Sequence, residues 1–344
     1  MAVKVLVVKL GTAVISNQDG NIDTGIIKKV AEEIALLSKK YRLVLVSSGA
    51  VGSGKKFLKD YKGTLSERKA AAAVGNPILI QLYAQYFRPH GITVAQALCE
   101  RVHFSNRKQF LQLKETFTTF WENGIVPVVN ENDLVSNVEI KFSDNDELAT
   151  LIAIGFDASA LILCTSSGGL LDDKKQVIPR IDKVASVMKY VSTETSGLGL
   201  GGMISKLTFT RLANSLGIQV VICGLKGEKP LSSALEGRNG SYFVPQASTL
   251  GARQKWLASG SVTLGTIHVD KGAAKALQAR KSLLTVGITQ AKGKFGAGEV
   301  VQIVDEEGTI LGVAKTKADV KAINSQLTVK NVIAAHADDI VLFY

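Results

Sequence analysis

Val3-Lys-Val-Leu-Val-Val-Lys-Leu-Gly-Thr12 is the stretch that decides how this chain folds. Aliphatic and β-branched residues running into lysine, glycine and threonine predict a strand whose carboxyl end opens into a turn. The run is apolar throughout rather than alternating, as fits a central strand of a parallel sheet covered by helices on both faces. Its apolar part, between two lysines, is too short for the hydrophobic region of a secretory signal.

Working outward, the same unit recurs to about residue 225. A helix is predicted near 24–40, a strand at RLVLVS (42–47), and a long Ala-rich segment from Ser66. There follow ITVAQAL (92–98), a helix near 108–123, IVPVV (125–129), a helix from Asn145, ALILCT (160–165), a helix from about Ser205, and IQVVICG (218–224). Strand and helix alternating in this way predict βαβ units. From about Ser261 the pattern changes to short strands with Gly-rich turns, in SVTLGTIHVD (261–270), GEVVQIVDEEGTILGVAKT (298–316) and DDIVLFY (338–344). The expected organisation is an α/β domain over 1–245, a linker over 246–260 and a small β-rich domain over 261–344.

Composition narrows the classes. The 344 residues are 46% hydrophobic and 21% charged, which excludes a mainly disordered chain. The net charge is +11, yet from residue 260 onward ten basic residues face eight acidic ones, so the small domain lacks the clustered Lys and Arg of a nucleic-acid footprint. An RNA-binding role is therefore not expected. Cys99, Cys164 and Cys223 form no CxxC pair, and the four histidines are scattered, so neither a disulfide framework nor a metal site is expected. The most apolar stretch, Leu148 to Cys164, is interrupted by Gly155 and Asp157 and does not read as a membrane span. A cytoplasmic chain is expected.

Four clusters could carry chemistry. Lys9 closes the first strand, with Gly11 in the turn after it, at the sheet edge where open α/β folds bind ligands. Ser47 to Lys56 contains GxxxxGK (Gly49 to Lys55), but Lys56 stands where a P-loop needs Ser or Thr, so a Gly-rich loop offering Ser48 and backbone amides to an anion is the better reading. Asn130-Glu-Asn-Asp133 follows the strand IVPVV, and Asp144-Asn-Asp-Glu147 follows a predicted hairpin, VSNVEIKF (135–142). Asn and Asp favour turns and helix caps, but at this edge they can also bind an ammonium group or orient a lysine. Ser196 to Lys206 places glycines before a helix, an anion site by its free N–H groups. A lysine in that helix's first turn opposes the dipole unless a negative charge is near.

Together, and in this order, VVKLGT, SSGAVGSG (47–54), AAVGNPILIQLY (72–83), PVVNEND (127–133), EIKFSDND (139–146) and SGLGLGGMISK (196–206) resemble the amino-acid kinase family, in its branch acting on glutamate. The C-terminal stretch resembles a PUA domain. The resemblance implies a three-layer α/β/α sandwich with a mainly parallel sheet, plus a small β-rich PUA-like domain. The implied reaction is ATP-dependent phosphorylation of the γ-carboxylate of L-glutamate to γ-glutamyl 5-phosphate, the first step of proline biosynthesis.

By the same resemblance Lys9 and Lys206 neutralise the transferring phosphoryl group and Asp146 holds the lysines. Glutamate is expected on Ser48, Gly49, Asp133 and Asn145. ATP is expected on Lys9, Gly11, Thr165, Ser166, Leu200, Gly201, Gly202, Met203, Ile204, Ser205 and Lys206, with Mg²⁺ carried by the nucleotide and no dedicated protein ligand. The implied partners are proline as feedback inhibitor, further copies of the chain in a dimer or tetramer, and glutamyl-phosphate reductase. One segment departs from the pattern: Thr165-Ser-Ser-Gly-Gly-Leu-Leu171 replaces Thr-Asp and a following Gly-Leu-Tyr turn. Leu200 likewise stands where Thr often precedes GGM.

Overall fold

The computed structural model describes residues 3–17, 20–135, 142, 144–190, 202–248, 251, 254, 257, 265–293, 295–327 and 332–342. They cluster as two compact units, one of Met1–Glu100 with Leu111–Gln246, the other of Arg101–Phe110 with Ala247–Tyr344.

In chain order the elements up to residue 243 are β1 (Lys4–Leu10), α1 (Thr12–Ile15), α2 (Thr24–Leu37), β2 (Tyr41–Ser47), α3 (Ala50–Gly54), α4 (Leu65–Phe87) and β3 (Thr93–Cys99). Then come α5 (Val102–Ser105), α6 (Arg107–Glu122), β4 (Ile125–Glu131), α7 (Asn145–Gly155), β5 (Ala160–Cys164), β6 (Arg180–Ile181), α8 (Met203–Ser215), β7 (Gln219–Cys223), α9 (Pro230–Leu235) and β8 (Ser241–Phe243). The eight strands form one sheet in the order β3-β4-β2-β1-β5-β7-β8-β6. All neighbours are parallel except β7 with β8.

The layers follow from the side-chain period of two in a strand. Leu6, Val8 and Leu10 of β1 pack in one core with Leu43 and Leu45 of β2 and with residues of α2, α4 and α9. The alternate residues Val5, Val7 and Lys9 point to the other face, which α7 and α8 cover. After β4 the chain crosses β1 to begin β5 on its far side, so β1 lies at the topological switch point, where such sheets place ligands at their carboxyl ends.

Each helix boundary has a local cause. Asp23 accepts the N–H groups of Gly25 and Ile26 to start α2, and Thr64 and Glu67 form a reciprocal capping box at α4. Helix α8 begins at Met203, two residues earlier than the sequence suggested, because Gly202 serves as its N-cap in extended conformation. Cys164 and Cys223, remote in sequence, are register partners on β5 and β7; all three cysteines are buried and free.

In the second unit β9 (Gly265–Val269), β11 (Ile288–Gly293), β12 (Val300–Val304), β13 (Ile310–Lys315) and β15 (Ile340–Leu342) make a sheet in the order β11-β9-β12-β13-β15, and β10 (Leu283–Leu284) pairs with β14 (Ile333–Ala335). Asp270 and Asp319 cap the helices Lys271–Gln278 and Val320–Ser325, and Ile267, Val269, Leu277, Val301, Ile303 and Ile323 lie in its core. Among the described residues no helix is long and apolar enough to cross a membrane.

Candidate active site

Lys9 reaches the α7 face at the carboxyl end of β1, and there its Nζ lies 2.6 Å from Asp146 Oδ1. Lys206 Nζ, from the first turn of α8, donates to Asp146 Oδ2 at 2.8 Å. The carboxylate is 0% exposed, and the lysines are 5% and 7% exposed. Burial pushes the Asp146 carboxyl up, but the ammonium groups of Lys9 and then Lys206 outweigh it and hold the group below its ordinary 3.8. One buried carboxylate is thus shared by two ammonium groups. It also resolves the awkward position of Lys206, since the carboxylate supplies a negative charge close to the helix start.

The placement of Asp146 is fixed by the residue two before it. Asp144 Oδ1 accepts the N–H groups of Asp146 at 2.9 Å and Glu147 at 3.1 Å, starting α7, and Asp144 Oδ2 accepts from Ser205 Oγ of α8. The sequence placed Asp144 in a cluster able to cap a helix or to serve the site, with a helix expected from Asn145; the structure makes it the N-cap of α7 and adds the bond to Ser205.

Ser48 and Gly49 follow β2 on the same edge. Ser48 N–H donates to Leu10 O, extending the pairing with β1. Gly49 has φ 102°, and a Cβ there would meet Ile22 Cδ1 at 2.9 Å and Ile15 Cδ1 at 3.0 Å, so only glycine fits. Helix α3 begins at once at Ala50, so the residues between Gly49 and Gly54 are helical and do not wrap a phosphate as a P-loop would. Asn145 Nδ2 approaches Asn130 Oδ1 at 2.9 Å, Ser48 Oγ at 3.1 Å and Ser47 O at 3.4 Å. Asn145, Ser48 and Asn130 are therefore brought together. Asp133 sits in the turn two residues beyond the end of β4, half-buried.

Of the residues expected on the nucleotide, Gly11 caps α1, and a Cβ there would lie 3.3 Å from Cys164 O and 3.6 Å from Lys9 Nζ. Thr165 N–H donates to Cys223 O, continuing the β5–β7 ladder, while Ser166 is exposed. Gly202, Met203, Ile204 and Ser205 form the start of α8, and a Cβ on Gly202 would meet open space. Leu200 and Gly201 lie outside the described residues, as do the middle of the VSNVEIKF segment and much of 246–260.

Sequence reasoning missed Asn76 and Tyr83 of α4. Both are buried, and both bond to residues at the site: Asn130 Nδ2 donates to Asn76 Oδ1 at 3.1 Å, and Tyr83 OH pairs with Ser47 Oγ at 2.8 Å. Their signal was two polar groups within an Ala- and Leu-rich helix.

A model of the amino acid kinase family matches residues 4–224, and a model of the PUA domain matches residues 265–332. Curated relatives include proteins named glutamate 5-kinase from Aquifex aeolicus (39% identical, covering 90% of this chain and 88% of the relative) and Kosmotoga olearia (38%, 89% and 87%). Another, from Bacteroides thetaiotaomicron, is 35% identical and covers 91% of both chains.

Proposed function

The chain belongs to the amino acid kinase family, and on that premise we propose that it transfers the γ-phosphoryl group of ATP to the γ-carboxylate of L-glutamate. The product is γ-glutamyl 5-phosphate, and the reaction opens proline biosynthesis. The observation that carries the reading is Asp146, wholly buried and shared by Lys9 and Lys206. Relatives of matching length bear the name of that activity.

A glutamate side chain has an ordinary pKa near ~4.3, so the attacking carboxylate is already ionised at neutral pH and needs no general base. One carboxylate oxygen forms the new bond to the γ-phosphorus as the bond to the β,γ-bridging oxygen breaks, and ADP departs with that electron pair. Such transfers ask chiefly for alignment and charge stabilisation. Lys9, from the strand edge, and Lys206, from the helix start, supply the charge; Asp146 keeps both ammonium groups aimed at one place. Ser48, Gly49, Asp133 and Asn145 hold glutamate. Gly11, Thr165, Ser166 and the first turn of α8, with Leu200 and Gly201 before it, hold the nucleotide.

Both oxygens of Asp146 are taken by ammonium groups, so no protein ligand is assigned to Mg²⁺, which when bound neutralises nucleotide phosphate charge and commonly keeps few protein ligands. The reading includes a homo-oligomer and proline as an inhibitor. An acyl phosphate is labile in water, which favours handover to glutamyl-phosphate reductase.

The test is hydroxylamine trapping with ATP and Mg²⁺, comparing L-glutamate, aspartate and N-acetylglutamate, with Lys206→Ala alongside. Hydroxamate from glutamate alone, abolished in the variant, is the expected result. Product from N-acetylglutamate instead would overturn the substrate assignment.

A further inference from the structure

The polar groups behind Ser48 form a chain whose direction can be read without ambiguity. Glu131 N–H donates to Asn130 Oδ1 at 3.0 Å, and a backbone N–H is always a donor, so that atom of Asn130 is its oxygen. Asn145 must therefore present its nitrogen to Asn130, and it presents the same nitrogen to the carbonyl oxygen of Ser47, an obligate acceptor. Asn130 Nδ2 in turn needs an acceptor, and Asn76 Oδ1 provides it. Every amide in the row Asn76, Asn130, Asn145 is thus locked in one orientation.

Two consequences appear at the substrate end. Because Nδ2 is the atom of Asn145 that meets all three neighbours, its Oδ1 is left as an acceptor. Ser48 Oγ accepts from Asn145, so its own proton is left to donate.

We infer that Asn76 is a positioning residue that sets substrate specificity: by holding the Asn130 amide from behind it keeps Asn130 Oδ1 within reach of Asn145 Nδ2, and so steadies Asn145, whose carbonyl oxygen is left for the α-ammonium of glutamate, beside Ser48, whose proton is left for a carboxylate oxygen. This rests on the reaction proposed above. Without the acceptor at position 76, Asn130 loses the partner for its amide nitrogen and is held by the Glu131 N–H alone, so its Oδ1 can move out of reach of Asn145, whose amide is then less well fixed against the ammonium.

The readout is discrimination between glutamate and glutarate, which is the same dicarboxylate without the amine. For the full chain and its variants, the KM of L-glutamate and the inhibition constant of glutarate are measured at saturating ATP. In Asn76→Ala the ratio of glutarate Ki to glutamate KM falls about tenfold or more, as for loss of a hydrogen bond to a charged group, while the KM for ATP stays as in wild type. In Asn76→Asp, whose carboxylate still accepts from Asn130, the ratio holds within about threefold. A merely structural role would weaken both ligands alike. An unchanged ratio in Asn76→Ala, or an equal fall in both variants, overturns the inference while leaving the reaction standing. Wild-type protein inert toward glutamate overturns both.

Discussion

Asp144 Oδ2 accepts a 2.5 Å hydrogen bond from Ser205 Oγ, joining the start of α7 to the first turn of α8. Since Asp144 Oδ1 caps α7, one carboxylate locates the helix of Asp146 and the helix of Lys206 at once. Replacing it loosens α7 and α8 relative to each other and, under the proposed reaction, removes no group that touches the phosphoryl. Asp144→Ala should lose about 1 kcal/mol of stability as a cap but on the order of 10²-fold in kcat, the scale of a small misplacement of reacting groups. Hydroxamate formation beside a urea melt separates the two; loss of stability with full kcat would refute the clasp.

Asp146 ties stability to pH. Burial raises its carboxyl, but Lys9 and Lys206 bring it below the ordinary 3.8. Because the folded-state value is the lower one, the unfolded chain binds the proton first as pH drops. The stabilisation is therefore complete above the ordinary carboxylate range and disappears as pH falls through the folded-state value. Asp146→Asn should cost about 3–5 kcal/mol near neutrality by leaving two buried ammonium groups unpaired. In urea melts the gap between wild type and variant should be constant from about pH 5 upward and close in acid; a gap that widens in acid would contradict the ion-pair account.

Helices α3 and α4 meet backbone to backbone. A Cβ on Gly54 would fall 1.9 Å from Ala71 O, and one on Gly75 would fall 1.8 Å from Ala50 O. Ala50 follows the Gly49 turn, so displacing α3 also shifts Ser48 and Gly49, which are proposed to hold glutamate. Gly75→Ala should cost about 1–3 kcal/mol or more and raise the KM for glutamate, whereas Gly91→Ala, where a Cβ meets nothing within 4 Å, strains only its own φ of 71°. Thermal denaturation and KM for the pair decide the matter.

Glu33 of α2 is buried and accepts the N–H groups of Leu231 at 3.0 Å and Ser232 at 2.9 Å. It caps α9 from another part of the chain, where Lys229, the local N-cap, offers no side-chain bond. Glu33→Ala should destabilise the fold by about 1–3 kcal/mol through unsatisfied donors, with kcat unchanged within about twofold since the residue lies outside the phosphoryl site. A collapse of kcat at full stability would place Glu33 in the mechanism instead.

The central strands were legible because their apolar runs are continuous and their turns carry Gly, Ser and Asn. Lys9, Asp146 and Lys206 were legible for a different reason: each is a charged residue where an apolar strand or helix begins or ends. The small edge strands β6 and β8 were not, since Arg180–Ile181 and Ser241–Phe243 are too short to show a period, and the antiparallel pairing of β8 is set by tertiary contact. Asn76 was hidden because, among the amides of α4 (Asn76, Gln81 and Gln85), nothing in the sequence marks the one that faces Asn130. Register partners such as Cys164 and Cys223 cannot be read at all before strand order is known.

In the trio of Lys9, Asp146 and Lys206 two ammonium groups share one carboxylate in a place nearly closed to water, so an anion that enters meets ammonium charge that Asp146 alone does not balance. Any compact oxyanion that enters stabilises the native state by mass action, in proportion to the logarithm of its concentration over its dissociation constant. The choice of purification buffer thus becomes a thermodynamic variable: in phosphate or sulfate the protein melts higher and binds nucleotide more weakly than in a buffer whose anion is too bulky for the gap.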